Sequence, residues 1–142
     1  MKNLNSVGPH PIQDNDEGAA CWDLPAIPET VGRARRLVRQ TLTAWKLSDL
    51  ADDMTAVISE VVTNAIVHAQ TSITLSLHHQ GRSVRAEVAD HSTAWPTPLP
   101  AGPDKERGRG LAILAAYSER WGVDPSPDGK TVWFVCAERR AS

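Results

Sequence analysis

Residues 56–69 read Ala56-Val57-Ile58-Ser59-Glu60-Val61-Val62-Thr63-Asn64-Ala65-Ile66-Val67-His68-Ala69, an apolar run crossed every fourth position by an acid, an amide and an imidazole. A helix turns by about 100° per residue, so steps of four keep Glu60, Asn64 and His68 in one stripe. Val57, Ile58, Val61, Val62, Ala65, Ile66 and Val67 occupy most of the remaining circumference, which predicts a largely buried helix. Polar groups on such a helix need partners. A bound polar ligand, a metal or one another would serve. Glu60 can orient or deprotonate an attacking hydroxyl, and Asn64 offers a neutral oxygen to a hard cation such as Mg²⁺. His68 on its own reads as a hydrogen-bonded structural residue. Zinc is disfavoured, because no second histidine or cysteine stands at metal spacing and His78 and His79 alternate across a strand. On spacing alone, a polar seam against a loop and a ligand site are equally open.

The flanks supply the rest of the fold. Ser48 is placed to cap the start of this helix, which runs to about Ala69. Upstream, Pro28 suits the first turn of a helix reaching about Trp45. Its inward face carries Val31, Leu37, Val38, Leu42 and Trp45, and Arg33, Arg35, Arg36 and Arg39 form a solvated face opposite. Residues 1–19 read as a disordered arm, followed by a short strand from Ala20 to Leu24 that Pro25 halts. After the central helix the period changes to two: Ile73, Leu75 and Leu77, then the turn Gln80-Gly81-Arg82, then Val84, Ala86 and Val88. That pattern predicts an antiparallel hairpin with one apolar face and Asp90 at its exit. Residues 91–107 hold Pro96, Pro98, Pro100, Gly102 and Pro103, and predict a long functional loop or lid. A short helix follows, from Leu111 to about Glu119, then strands Trp121–Val123 and Thr131–Ala137 joined by the turn-rich residues 124–129. The expected class is α+β: a two-layer sandwich whose mixed, mostly antiparallel sheet is covered on one face by about three helices. The domain spans residues 20–138, with 139–142 a tail.

Bulk properties narrow the function. With 142 residues and 41% hydrophobic content, the chain suits a single globular domain. A formal net charge of -2 gives no electrostatic footprint for direct nucleic-acid or membrane binding. No apolar run approaches the roughly 20 residues that span a bilayer. The polar first twenty residues argue against a signal peptide. Cys21 and Cys136 read as two unpaired thiols in a reducing compartment, so the expected setting is cytoplasmic.

Two further features carry chemistry. Asp90 is either a solvated strand end or an acceptor for an exocyclic amine such as that of adenine. A buried acceptor would discriminate by leaving groups unpaired under the wrong base. Gly108-Arg109-Gly110-Leu111 opens a helix and is a candidate phosphate site, since glycines admit the backbone and helical N–H groups favour anions. Arg109, with Lys105 and Arg107 upstream, suits an anionic ligand. The chain lacks the P-loop pattern.

In order, these parts are a helix with Glu-x-x-x-Asn, a hairpin ending in Asp, a loop, a glycine pair opening a helix, and a Gly-x-Thr strand. The order resembles the GHKL (Bergerat-fold) ATP-binding superfamily. Within it, the chain looks most like the anti-sigma-factor serine-protein kinases of the RsbW and SpoIIAB type, over residues from about 20 to 137. The stretch from Glu60 to His68 is similar to that subfamily's N-box. The resemblance implies ATP and Mg²⁺ as cofactors, Asn64 as the metal ligand, His68 beside it in the nucleotide-binding box, and Glu60 as the residue that orients the attacking hydroxyl. It makes Asp90 the adenine-binding aspartate, the loop to Arg107 the ATP lid, Gly108, Arg109, Gly110 and Leu111 the second glycine box, and Thr131 the threonine supporting the adenine end. It also implies an anti-sigma-factor antagonist as substrate, a sigma factor as sequestered client, and a homodimer. One departure stands out. The family's aspartate usually begins Asp-x-Gly-x-Gly, whereas Asp90-His91-Ser92-Thr93-Ala94 contains no glycine, which implies an adenine pocket of different shape. Glu60 favours the enzyme; the missing glycines favour a nucleotide-responsive binding module without phosphotransfer. A metal-dependent hydrolase using Glu60 and His68 ranks below both for want of ligands.

Overall fold

Strands β2 (Ile73–Gln80) and β3 (Ser83–Asp90) form the hairpin that a period of two demands. The computed structural model describes residues 17–91 and 112–138. The hairpin register runs from Ile73 opposite Asp90 to Gln80 opposite Ser83. Gly81 takes φ +63° as the first residue of the two-residue loop, the position where a tight hairpin of the II′ kind requires glycine. Strand β1 (Glu17–Leu24) pairs with β2, β5 (Gly129–Ala137) with the other edge of β3, and β4 (Arg120–Ser126) with β5. The order is β1-β2-β3-β5-β4. All four pairings are antiparallel, so the sheet is antiparallel throughout rather than mixed.

Helices α1 (Glu29–Ala44), α2 (Ala51–Asn64) and α3 (residues 112–117) accompany the sheet in the expected α+β arrangement. One core joins the layers. Leu24, Ile73, Leu75, Leu77, Val84, Ala86 and Phe134 from the sheet meet Val38, Leu42, Met54, Val57, Ile58 and Val62 from α1 and α2, all at most 1% exposed. Burying each large aliphatic side chain of this kind contributes about 1.5–3 kcal/mol.

Several boundaries differ from the sequence reading, among them the start of β5, which is Gly129 rather than Thr131. The first strand begins at Glu17, not Ala20, and the rest of the expected N-terminal arm, residues 1–16, lies outside the described residues. Gly18 and Ala19 have weak strand propensity, yet they pair with His79 and His78. Gly18 also seats the Trp45 indole: a Cβ there would lie 2.8 Å from Nε1. Ser48 does not cap α2; it opens a 3₁₀ turn, Ser48–Leu50, and Leu50 precedes α2 without a side-chain cap. The preceding α1 stops in a Schellman closure instead. Lys46 takes φ +64°, its N–H reaches the Thr43 carbonyl at 3.0 Å, and the Leu47 N–H reaches the Leu42 carbonyl at 2.8 Å. Beyond Asn64 the helix widens into a π turn, Ala65–Ala69, closed by the Gln70 N–H on the Ala65 carbonyl at 3.1 Å with Gln70 left-handed at φ +59°. Finally, β4 runs through Pro125 to Ser126. Proline is tolerated there because β4, among the described strands, has a partner on one side alone, and an edge strand can forgo a ladder donor.

Candidate functional site

The stripe on α2 divides by exposure. Glu60 and Asn64 are half-buried, whereas His68 lies exposed in the π turn with Val67, itself 55% exposed. The helix is therefore not buried all round, contrary to the apolar count. Its core-facing side is Met54, Val57, Ile58, Val61, Val62 and Ala65, and Thr63, Val67 and His68 face out. Widening to a π turn changes the angular step after Asn64, so the last member of a four-residue series leaves the line. Glu60 and Asn64 stay at the boundary between core and solvent, where a ligand can reach them.

Asp90 ends β3 on the core side of the sheet. Alternation along β3 buries Val84, Ala86, Val88 and Asp90 together, and Asp90 is 5% exposed. The solvated-strand-end reading of this residue fails. Its carboxylate meets the Lys130 ammonium, Nζ donating to Oδ2 at 2.5 Å, with side-chain exposures of 13% for Lys130 and 3% for Asp90. Backbone geometry forces the meeting. Asp90 and Lys130 are directly opposed in the β3–β5 ladder. Gly129, at φ +153°, lies so close that a Cβ would stand 2.1 Å from the Asp90 carbonyl oxygen. A second tie holds the exit of β3: the His91 N–H donates to Thr71 Oγ1 at 3.0 Å. Thr71 follows Gln70, which ends the π turn, so the aspartate's strand is fastened to the segment leaving the helix that carries Glu60 and Asn64.

Thr131 goes elsewhere. It is opposed to Ala89 and next to the row of Thr74 and Asp23, on the sheet face turned away from the core, while Lys130 and Val132 share the side of Asp90. The structure thus does not bring Thr131 to the aspartate, and it brings Lys130, which sequence reading passed over. Gly108, Arg109, Gly110, Leu111 and the lid lie outside the described residues. Among the described residues, no cluster of three or more His, Cys, Asp or Glu side chains forms a metal cage. Asn64 is a neutral oxygen donor, which suits an ion that keeps most of its waters and borrows phosphate oxygens. Cys136 is not a thiolate nucleophile: burial, aided by the charges of Asp53 and Glu119, pushes its pKa to about 12. No described helix is long and apolar enough to cross a membrane.

Comparison with known proteins bears on the family and the fold. The family profile described as "Histidine kinase-like ATPase domain" matches residues 24–136. Among solved structures, the RsbU and RsbW domains of Rv1364c from Mycobacterium tuberculosis match at a TM-score of 0.65 and 21% identity. That match covers 84% of this chain and 31% of the other, so the chain spans about a third of that structure's length and shares its fold. No curated protein matches the chain.

Proposed function

We propose that this chain, which belongs to the histidine kinase-like ATPase domain family, is an ATP-dependent regulator of the anti-sigma-factor type that phosphorylates a serine of a partner protein. Family membership implies ATP binding, and the burial of the Asp90 carboxylate on the core side of β3 is the observation that carries the rest. A buried acceptor there suits the adenine amine and rejects a base that offers a carbonyl in its place. Asn64 would hold Mg²⁺, which neutralises developing charge on the phosphates when bound. Glu60, half-buried and one helical turn away from Asn64, would accept or orient the proton of the partner's hydroxyl. Gly108, Arg109, Gly110 and Leu111 would meet the phosphate chain. Phosphoryl transfer asks mainly for positioning and charge stabilisation, and this set offers both.

The partner belongs to the same proposal: an anti-sigma-factor antagonist as substrate, a sigma factor as the sequestered client, a homodimer as the working form and the cytoplasm as the setting. The RsbW domain in the matched structure, and the absence of a nucleic-acid-type charge, support this choice. The glycine-free stretch after Asp90 supports a second reading, a nucleotide-responsive binding module without phosphotransfer.

Titration of the chain with Mg-ATP, compared with Asn64→Ala and Asp90→Asn, tests the site; unchanged affinity in both variants would sink it. Glu60→Ala then separates the readings. It should abolish phosphate transfer to the partner while leaving ATP affinity within about threefold. A parent that binds ATP and the partner but transfers nothing makes the binding module correct instead.

A further inference from the structure

We infer that Lys130 is a positioning residue for Asp90, and that its ammonium helps make the aspartate an adenine-selective acceptor. The inference rests on the ATP-site reading and adds a residue to it. Three observations converge. Lys130 Nζ lies 2.5 Å from Asp90 Oδ2, and both side chains are withdrawn from solvent. The two residues are opposed in the ladder, so the contact is set by backbone register rather than by a wandering side chain. Gly129 abuts the Asp90 carbonyl with no room for a Cβ, which pins the start of β5 against the end of β3.

The chemistry follows from burial. A carboxylate removed from water needs a cation and further hydrogen bonds to stay in place, and deleting a cation in contact with it removes part of what offsets that cost. With Lys130 present, the carboxylate is held as an acceptor on the core side of the sheet, able to take a hydrogen bond from an N–H of the base. Without Lys130, the carboxylate loses the contact that the ladder fixes and is held less firmly toward the base, so the amine of adenine meets a weaker acceptor. A base with an oxygen at that position never made the contact and loses nothing.

The experiment is calorimetric titration of the full chain with Mg-ATP and Mg-ITP, whose base carries an oxygen in place of the adenine amine. The parent should prefer ATP by about tenfold or more. Lys130→Met should bring the ratio near one through lost ATP affinity, with ITP binding unchanged or better, and Lys130→Arg should restore most of the preference. A residue that served folding alone would weaken both nucleotides together. A folded Lys130→Met variant that keeps the parental ratio overturns the inference. Should that variant fail to fold, Lys130→Gln keeps a donor on the aspartate without the charge; it should lower the ratio at least about threefold, and a parental ratio in it overturns the inference equally. Asp90→Asn separates the two levels. If it changes neither affinity nor preference, the ATP-site reading falls and Lys130's role with it; if it erases the preference while the lysine variants keep it, the lysine's role alone falls.

Discussion

Replacing Gly129 by alanine tests how tightly the end of β3 is held. The new Cβ would stand 2.1 Å from the Asp90 carbonyl oxygen, 2.9 Å from its carbonyl carbon and 2.9 Å from His91 Cα. These are backbone atoms, so no side chain can swing aside; the two strands must part by roughly an ångström where Asp90 faces Lys130. Such overpacking costs about 1–3 kcal/mol. The φ of +153° is a region that L-residues occupy at a further cost of about 1–3 kcal/mol. The sum, about 2–6 kcal/mol, is a large share of the roughly 5–15 kcal/mol that holds a domain folded. Gly81 supplies the control. It too has positive φ, at +63°, but a Cβ there meets nothing within 4 Å, so Gly81→Ala should cost only the conformational part, about 1–2 kcal/mol. Urea unfolding at 25 °C, followed by circular dichroism, should therefore place Gly129→Ala well below Gly81→Ala in midpoint, with equal slopes. A Gly129→Ala variant no less stable than Gly81→Ala would refute the claim that contact between β3 and β5 is tight there.

Other consequences are open to direct measurement. Met54 is 0% exposed at the centre of the core, so Met54→Ala should lower unfolding free energy by about 2–5 kcal/mol. Arg39→Ala, which breaks a surface pair with Asp52 at 3.0 Å, should lower it by less than about 1 kcal/mol; the same denaturation series ranks the two, and a reversed order would show that the core assignment is misplaced. Aromatic disulfide reagents at pH 8 should label Cys21, which is exposed, and spare Cys136 until the protein is unfolded. A pKa of about 12 leaves only about one Cys136 in ten thousand as thiolate at that pH, so rapid labelling of both thiols in the native protein would contradict its burial. The same shift fixes a sign with pH. Between about pH 9 and pH 12 the unfolded chain releases the Cys136 proton and the folded chain keeps it, so this thiol's contribution to stability is intact below pH 9 and falls as pH rises through that window. Cys136→Ala should flatten that part of the pH–stability curve.

Periodicity made most of the framework legible. The alternation from Ile73 to Asp90 contains both the hairpin and the burial of its inner row, and the spacing from Val57 to Ala65 contains the core-facing side of α2. What escaped was set by contacts distant in sequence. Residues 17–19 became strand because β2 offered a partner and Trp45 needed a glycine beneath it. Ser48 lost its capping role to a 3₁₀ turn that follows the Schellman closure at Lys46. The π turn has no simple residue signature, and it removed His68 from a series that arithmetic had completed. Lys130 was within reach. Val132 and Phe134 point inward, and a period of two carries the same side back to Lys130 and puts Thr131 on the other. The pleat thus delivers Lys130, and not the motif's threonine, to Asp90.

The strand order also bears on how the domain is made. Strand β5 comes later in the chain than every other described strand, yet it lies between β3 and β4 and supplies the lysine opposite Asp90. A ribosome therefore releases β3 long before its second neighbour exists, and each pairing in that ladder closes a loop of at least 40 residues. Until then β3 has an open edge and Asp90 has no counter-ion from Lys130. Non-local closure of this kind slows folding, and it makes assembly of the sheet centre and of the candidate base site one event. A nascent chain that stops short of Gly129 would carry α1, α2 and the β2–β3 hairpin without either.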